Sequence, residues 1–127
     1  MSRLCISSTE AQIQYAIQRW ALWKQDIQIW RINVIGVPLK KGGYRPSTNP
    51  GMADLHLTLW VEGIPISAWL EVKRARAYQN KNQKKFETQI KDHGGFYFVV
   101  RSIDDVEDAL KIMREETWKK IRDSTPF

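Results

Sequence analysis

A chain of 127 residues with 43% apolar and 11% aromatic content carries enough hydrophobic material for the core of one domain, residues 1–127, and is too apolar to be a disordered tail. No apolar run approaches the roughly 20 residues that span a bilayer. The stretch from Met1 to Glu10 lacks the layout of a secretory signal, and the lone Cys5 offers neither a disulfide nor a zinc knuckle, so a soluble cytoplasmic protein is expected. The net charge of +6 favours an anionic partner, and Lys73, Arg74, Arg76, Lys81, Lys84, Lys85 and Lys91 cluster mid-chain against the single acid Glu87.

Thr9-x-x-Gln12 has the form of a capping box and opens a first helix, with Ile13, Ala16, Ile17, Trp20 and Trp23 at helical spacing as its apolar face. Ile27 to Ile35, rich in β-branched and aromatic residues, reads as a strand. Gly36 to Gly51, punctuated by Pro38, Gly42, Gly43, Pro46 and Pro50, reads as a loop whose length points to a function. Its Lys40, Lys41, Tyr44 and Arg45 suit phosphate contact or base stacking.

Ala53 to Trp60 alternates Leu55, Leu57 and Leu59 against Asp54, His56 and Thr58. After the turn signal Glu62-Gly63, Ile66, Ala68, Leu70 and Val72 alternate against Ser67, Trp69, Glu71 and Lys73, which predicts a hairpin. Asn80 to His93 forms a helix with Gln83, Phe86 and Ile90 on one stripe, stopped at Gly94-Gly95. Phe96 to Val100 is expected as a buried strand. Ser102, Asp104 and Asp105 cap a last helix with the stripe Val106, Ala109, Leu110, Met113, Thr117 and Ile121. The fold class is therefore α/β: an αβββαβ core with a mixed central sheet flanked by helices, and an extra C-terminal helix.

Antiparallel pairing sets the start of one hairpin strand beside the end of the other, which brings Asp54, Glu71 and Lys73 together on the solvent-facing side. Two close carboxylates repel unless a cation lies between them, and their hard oxygens suit Mg²⁺ or Mn²⁺ with phosphate and water completing the shell. Lys73 is placed to orient or deprotonate a water and to steady a pentacovalent phosphate. Taken alone, such a trio is usually a cross-strand ion pair on a wet face, and only its context, a basic Gly/Pro loop before it and a basic helix after it, turns the reading.

Gly51-Met52-Ala53-Asp54-Leu55, Leu70-Glu71-Val72-Lys73, Gln83 with Phe86, Gly94-Gly95 and the segment Ser102 to Val106 together resemble the virus-type replication-repair nuclease (VRR-Nuc) branch of the PD-(D/E)XK superfamily, over about Glu10 to Leu110. The resemblance implies a restriction-endonuclease-like core and a metal-dependent DNA endonuclease. It implies Asp54 and Glu71 as ligands of Mg²⁺ or Mn²⁺ with the Val72 carbonyl, and Lys73 as the catalytic lysine. Glu10 would reach the metal or its waters, and Gln83 would contact the site. Ala53 stands where the motif commonly has proline, a matter of backbone shape rather than chemistry. Stand-alone members of the branch are typically homodimers acting on branched DNA such as four-way junctions, in a phage or DNA-repair setting.

Lys40, Lys41, Arg45, Arg74, Arg76, Lys81, Lys84 and Lys85 are the candidate DNA-binding residues. His56 is expected to be satisfied locally and His93 to serve the end of its helix. Six tryptophans are assigned mostly to core or interface, with Trp69, on the face of Glu71, lining a DNA groove or a subunit contact. The rival readings are a non-catalytic nucleic-acid-binding module and an accessory phage-type protein whose ion pairs mimic the motif.

Overall fold

Thr9 starts the first helix, α1 (Glu10–Ala21), as its spacing requires: its hydroxyl accepts from Gln12 N–H at 3.1 Å, and Gln12 Oε1 accepts from Thr9 N–H at 2.9 Å. The protein is seen here as a computed structural model that describes residues 8–32, 37–38, 40, 42, 44–45 and 51–124. Cys5 lies outside them. Ile13, Ile17 and Ala21 form the buried stripe of α1. The expected face is corrected at two positions. Ala16 falls on the exposed flank, and the helix ends at Ala21, so helical periodicity no longer governs Trp23, which is 85% exposed.

Strand β1 (Ile27–Arg31) is shorter than the expected run, although Ile32 N–H still donates to the Asp54 carbonyl at 2.8 Å; residues 33–36 lie outside the described residues. The expected loop contains a small antiparallel pair, β2 (Val37–Pro38) with β3 (Tyr44–Arg45). Strands β4 (Leu55–Val61) and β5 (Ile64–Val72) form the hairpin. Its two-residue turn has positive φ at both Glu62 (51°) and Gly63 (79°), the combination that matches the twist of paired strands. That turn fixes the register, with Leu55 opposite Leu70 and Val61 opposite Ile64.

Helix α2 (Lys81–Asp92) follows, then strand β6 (Phe96–Val100), parallel to β5, and helix α3 (Ile103–Ser124). The main sheet runs β1-β4-β5-β6, antiparallel except for the last pair. The order αβββαβ with a further helix is thus the observed one, apart from the small β2–β3 insertion. Strand β6 is an edge strand with only Tyr97 and Val100 buried, which corrects the expectation of a buried strand. A short apolar run looks the same whether its strand is central or a half-covered edge.

One face of the sheet carries the core: Leu55, Leu57, Leu59, Ala68, Leu70, Val72 and Val100, packed against Ile13 and Ile17 of α1 and Val106, Leu110 and Met113 of α3. Each fully buried leucine stabilises the fold by about 1.5–3 kcal/mol. The other face carries Asp54, His56, Trp69 and Glu71, and α2 covers only its β5–β6 side, through Phe86 against Trp69 and Tyr97. None of the six tryptophans is buried, although Trp20 packs against the core from its rim, so the core part of their core-or-interface assignment is corrected; Trp23, Trp30, Trp60 and Trp118 are exposed.

Candidate active site

Asp54 immediately precedes β4, and Glu71 lies next to the end of β5, so the hairpin register alone sets them side by side. Asp54 Oδ2 accepts from the Val72 backbone N–H at 2.8 Å, which anchors one carboxylate oxygen to the neighbouring strand. Glu71 is only 1% exposed and Lys73 only 8%. The expectation that all three side chains face solvent is therefore corrected. Side-chain alternation gives the face, but α2 and the β5–α2 connection close over it at this end.

Burial pushes the Glu71 carboxyl up to about 8, and the adjacent Asp54 charge adds to the effect, while Lys73 opposes it. Asp54 is also held above the ordinary carboxylate range by burial, offset in part by the Val72 N–H and by a hydrogen bond with Glu71. The two carboxyls lie close enough to titrate as a pair.

Gln83 is fixed by α2's own cap. Its Oε1 accepts from Asn80 N–H at 2.9 Å, while Asn80 Oδ1 accepts from Gln83 N–H at 2.9 Å, a capping box. With the oxygen committed to the cap, the amide nitrogen faces the site, and Nε2 donates to Glu71 Oε1 at 2.7 Å. Asn80-x-x-Gln83 was a readable signal for this double role, but sequence reasoning placed Gln83 on the helix stripe without it. The connection that leads into α2 is pinned as well: Arg101 Nη2 donates to the Ala77 carbonyl at 2.8 Å and Gln79 Nε2 to Tyr97 Oη at 2.9 Å.

Lys73 Nζ lies 4.0 Å from Glu71 Oε1, and its backbone N–H donates to the Val100 carbonyl at 3.0 Å. Glu10, at the first turn of α1, reaches the same end: its Oε2 accepts a long 3.4 Å bond from Arg74 N–H, and its charge raises both carboxyls. The structure thus gathers Asp54, Glu71, Lys73, Gln83, Glu10 and the Val72 backbone. Gly51 adds a contact the sequence did not assign. At φ +84°, an added Cβ there would meet the Asn82 carbonyl oxygen at 2.3 Å, so the segment leading to Asp54 packs directly on the first turn of α2.

The basic candidates spread around this centre. Arg74 and Arg76 are exposed on the connection after β5, and Arg76 has a positive φ of 66°. Lys81, Lys84 and Lys85 are exposed on the first half of α2 and form no ion pair with another described residue, whereas Lys91 is paired with Glu87 at 2.6 Å. Lys40 is exposed, Lys41 lies outside the described residues, and so does the side chain of Arg45. His56 meets Ser67 Oγ and the edge of Trp69, and burial lowers its pKa; His93 Nδ1 meets the Gln89 carbonyl at the end of α2. Both histidines are satisfied locally, as expected.

Among the described residues no group of three or more His, Cys, Asp or Glu side chains stands ready to hold a metal ion. The fit therefore turns on the two carboxylates. Glu71 Oε2 is buried with no hydrogen-bond partner, beside a second carboxylate, which is the environment a cation would satisfy. Mg²⁺ commonly binds through one or two carboxylates with waters and substrate phosphate supplying the rest, so the residues present fit such an ion.

No family model matches the sequence, and no curated protein matches it. Among solved structures, a chain described as "VRR_NUC domain" is similar, with a TM-score of 0.53 and 18% sequence identity, over 82% of this chain and 97% of that one. With its mixed four-stranded sheet flanked by helices, this chain has the fold of a VRR_NUC domain.

Proposed function

We propose that residues 1–127 form a single VRR-Nuc-like domain that hydrolyses DNA phosphodiester bonds with Mg²⁺ or Mn²⁺. The observation that carries the reading is the orphaned Glu71 Oε2, buried against Asp54 while the other Glu71 oxygen is held by Gln83. A purely structural ion pair would not leave one carboxylate oxygen unsatisfied and a second carboxylate beside it, because each buried unpaired polar atom costs about 1–3 kcal/mol. The VRR_NUC fold supports the same reading by analogy.

In this mechanism Asp54 and Glu71, once deprotonated, would hold the cation, with the Val72 carbonyl and, through water, Glu10 as the further groups within reach. A bound Mg²⁺ or Mn²⁺ would lower the pKa of a water and neutralise charge on the phosphate oxygens. Gln83 fixes the Glu71 carboxylate through Oε1, which leaves Oε2 free to ligate. Lys73, beside Glu71, orients the attacking water and faces the charge that builds on the pentacovalent phosphorus, while the proton of the water passes to solvent. The water oxygen bonds to phosphorus as the opposite ester P–O bond breaks in line, and the leaving oxygen takes a proton from solvent.

The exposed Lys40, Arg74, Arg76, Lys81, Lys84 and Lys85 supply phosphate contacts, with Lys41 and Arg45 of the 36–51 segment assigned to the same role. Branched DNA such as a four-way junction, cut by a homodimer, is the substrate that the sequence resemblance favours. The test is a nicking assay on single-stranded, duplex, flap and four-way DNA with Mg²⁺, Mn²⁺ or EDTA. Metal-dependent products lost in Asp54→Asn are expected. DNA binding without any product would leave a non-catalytic binding module.

A further inference from the structure

The strand register lays a row of rings across the sheet next to the carboxylates. Trp30 pairs with His56, His56 with Trp69, and Trp69 with Tyr97, and directly paired residues share a face. Asp54 and Glu71 belong to that same face, two residues further along β4 and β5, which is about 7 Å at the rise of a strand. Helix α2 covers the Trp69 and Tyr97 end of the row through Phe86. The Trp30 end is open: Trp30 is 62% exposed and His56 half-buried, with Gln28 exposed and Thr58 half-buried in the next row and Trp60 48% exposed beyond it.

Two exposed tryptophans on one sheet face, beside the proposed hydrolytic centre, form a surface for a ligand to cover. The two exposed rings offer at most roughly 280 Å² if each fully exposed side chain presents about 250 Å². A stable protein interface takes about 800 Å² per partner, so this patch is far too small to hold a second copy on its own. Its rings are also interleaved with Gln28 and Thr58, a mixture of flat apolar faces and short hydrogen-bonding groups that suits bases better than a dry core. The surface is continuous with the row of Asp54 and Glu71, so a chain that presents a phosphate there has room to lay a neighbouring base across it.

We infer that Trp30 stacks on an unpaired base next to the scissile phosphate, so that the site takes nucleic acid with a single-stranded or splayed nucleotide at the point of cleavage. A base inside a duplex keeps both faces stacked on its neighbours and cannot present one to a side chain. The inference rests on the nuclease reading for the position of the phosphate.

The test separates the two. Fluorescence anisotropy in EDTA measures binding of an oligothymidylate and of a fully paired duplex to the intact chain and to Trp30→Ala and Trp30→Phe. Because Trp30 is exposed, both variants should fold, which circular dichroism checks. Trp30→Ala should weaken oligothymidylate binding about 5- to 150-fold, the range for one lost stack. Trp30→Phe should retain most of the affinity, and duplex binding should change by less than about twofold in either variant. Unchanged oligothymidylate binding by Trp30→Ala, equal losses on both DNAs, or conversion of a dimer to a monomer in sedimentation would each overturn the inference. Metal-dependent nicking is scored separately on the same preparations. Nicking with no effect of Trp30 sinks the stacking role alone, and a selective Trp30 effect without nicking sinks the nuclease reading and leaves the base platform standing.

Discussion

Replacing Glu71 by glutamine keeps the shape of the side chain and removes its proton equilibrium, so the variant isolates the electrostatics of the site. In the folded chain the Glu71 carboxyl titrates at about 8 against an ordinary 4.5, because burial and the Asp54 charge disfavour its ionised form. Below 4.5 both folded and unfolded chains hold the proton and the group leaves stability unchanged with pH. Between the two values the unfolded chain releases it while the folded chain keeps it, so stability falls as pH rises, at about 1.4 kcal/mol per pH unit. The loss by the upper end is on the order of 4 kcal/mol, a large share of the roughly 5–15 kcal/mol that holds a domain of this size together. Glu71→Gln lacks this loss. Urea unfolding in EDTA from about pH 5 to about pH 9 should show the variant gaining on the native chain, by roughly 2 M in midpoint at a slope of about 2 kcal/mol per M. Mg²⁺ should restore the native chain at high pH, since a cation takes the place of the proton, and leave the variant unmoved. Parallel pH profiles in EDTA would refute the reasoning, for they would mean that Glu71 folds in its ionised form.

The capping box makes Gln83→Glu and Gln83→Ala diverge: the glutamate can still accept from Asn80 N–H, so stability in acid should fall little, while alanine should cost about 0.5–2 kcal/mol, read by thermal melting. Gln83→Glu should nonetheless impair nicking, because a second charge would sit where Nε2 now donates to Glu71. Gly51→Ala, forced to hold φ +84° with its Cβ on the Asn82 backbone, should destabilise by more than about 1 kcal/mol and lower nicking at temperatures where the fold persists, measured by denaturation and single-turnover assays. Removing Lys81, Lys84 and Lys85 together should reduce the slope of log affinity against log salt by about three, and an unchanged slope would place the DNA on another surface.

The hairpin was the most legible part of the chain. Alternation gave the two strands, Glu62-Gly63 gave the turn, and the turn fixed the register that sets Asp54 beside Glu71. What alternation could not give was depth. Glu71 and Lys73 are buried because α2 and its connection fold back over one end of the sheet, a long-range event with no local period. The tryptophans failed as core markers for a related reason: Trp30 stands on the outward side of β1 and Trp23 lies beyond the end of α1, so position overrides hydrophobicity. The two-residue strands β2 and β3 are too short to show any alternation in a segment full of Gly and Pro.

The first turn of α2 joins the two halves of the site. Asp54 follows three residues after Gly51, whose backbone rests on Asn82, and Glu71 is held by Gln83, the next residue of the same turn. The Asn80 cap orders that turn by local hydrogen bonds, and the Arg101 bond to Ala77 and the Gln79 bond to Tyr97 fix where it starts. Docking α2 therefore orients one carboxylate directly and packs against the segment that carries the other. This arrangement brings two carboxyls together out of water, where burial raises both and disfavours the doubly ionised pair. A flexible site would relax by turning Glu71 outward. The capped helix, the hairpin and the close approach at Gly51 prevent it, so the fold keeps the two carboxyls together despite the electrostatic cost, which is the strain the proposed cation would relieve.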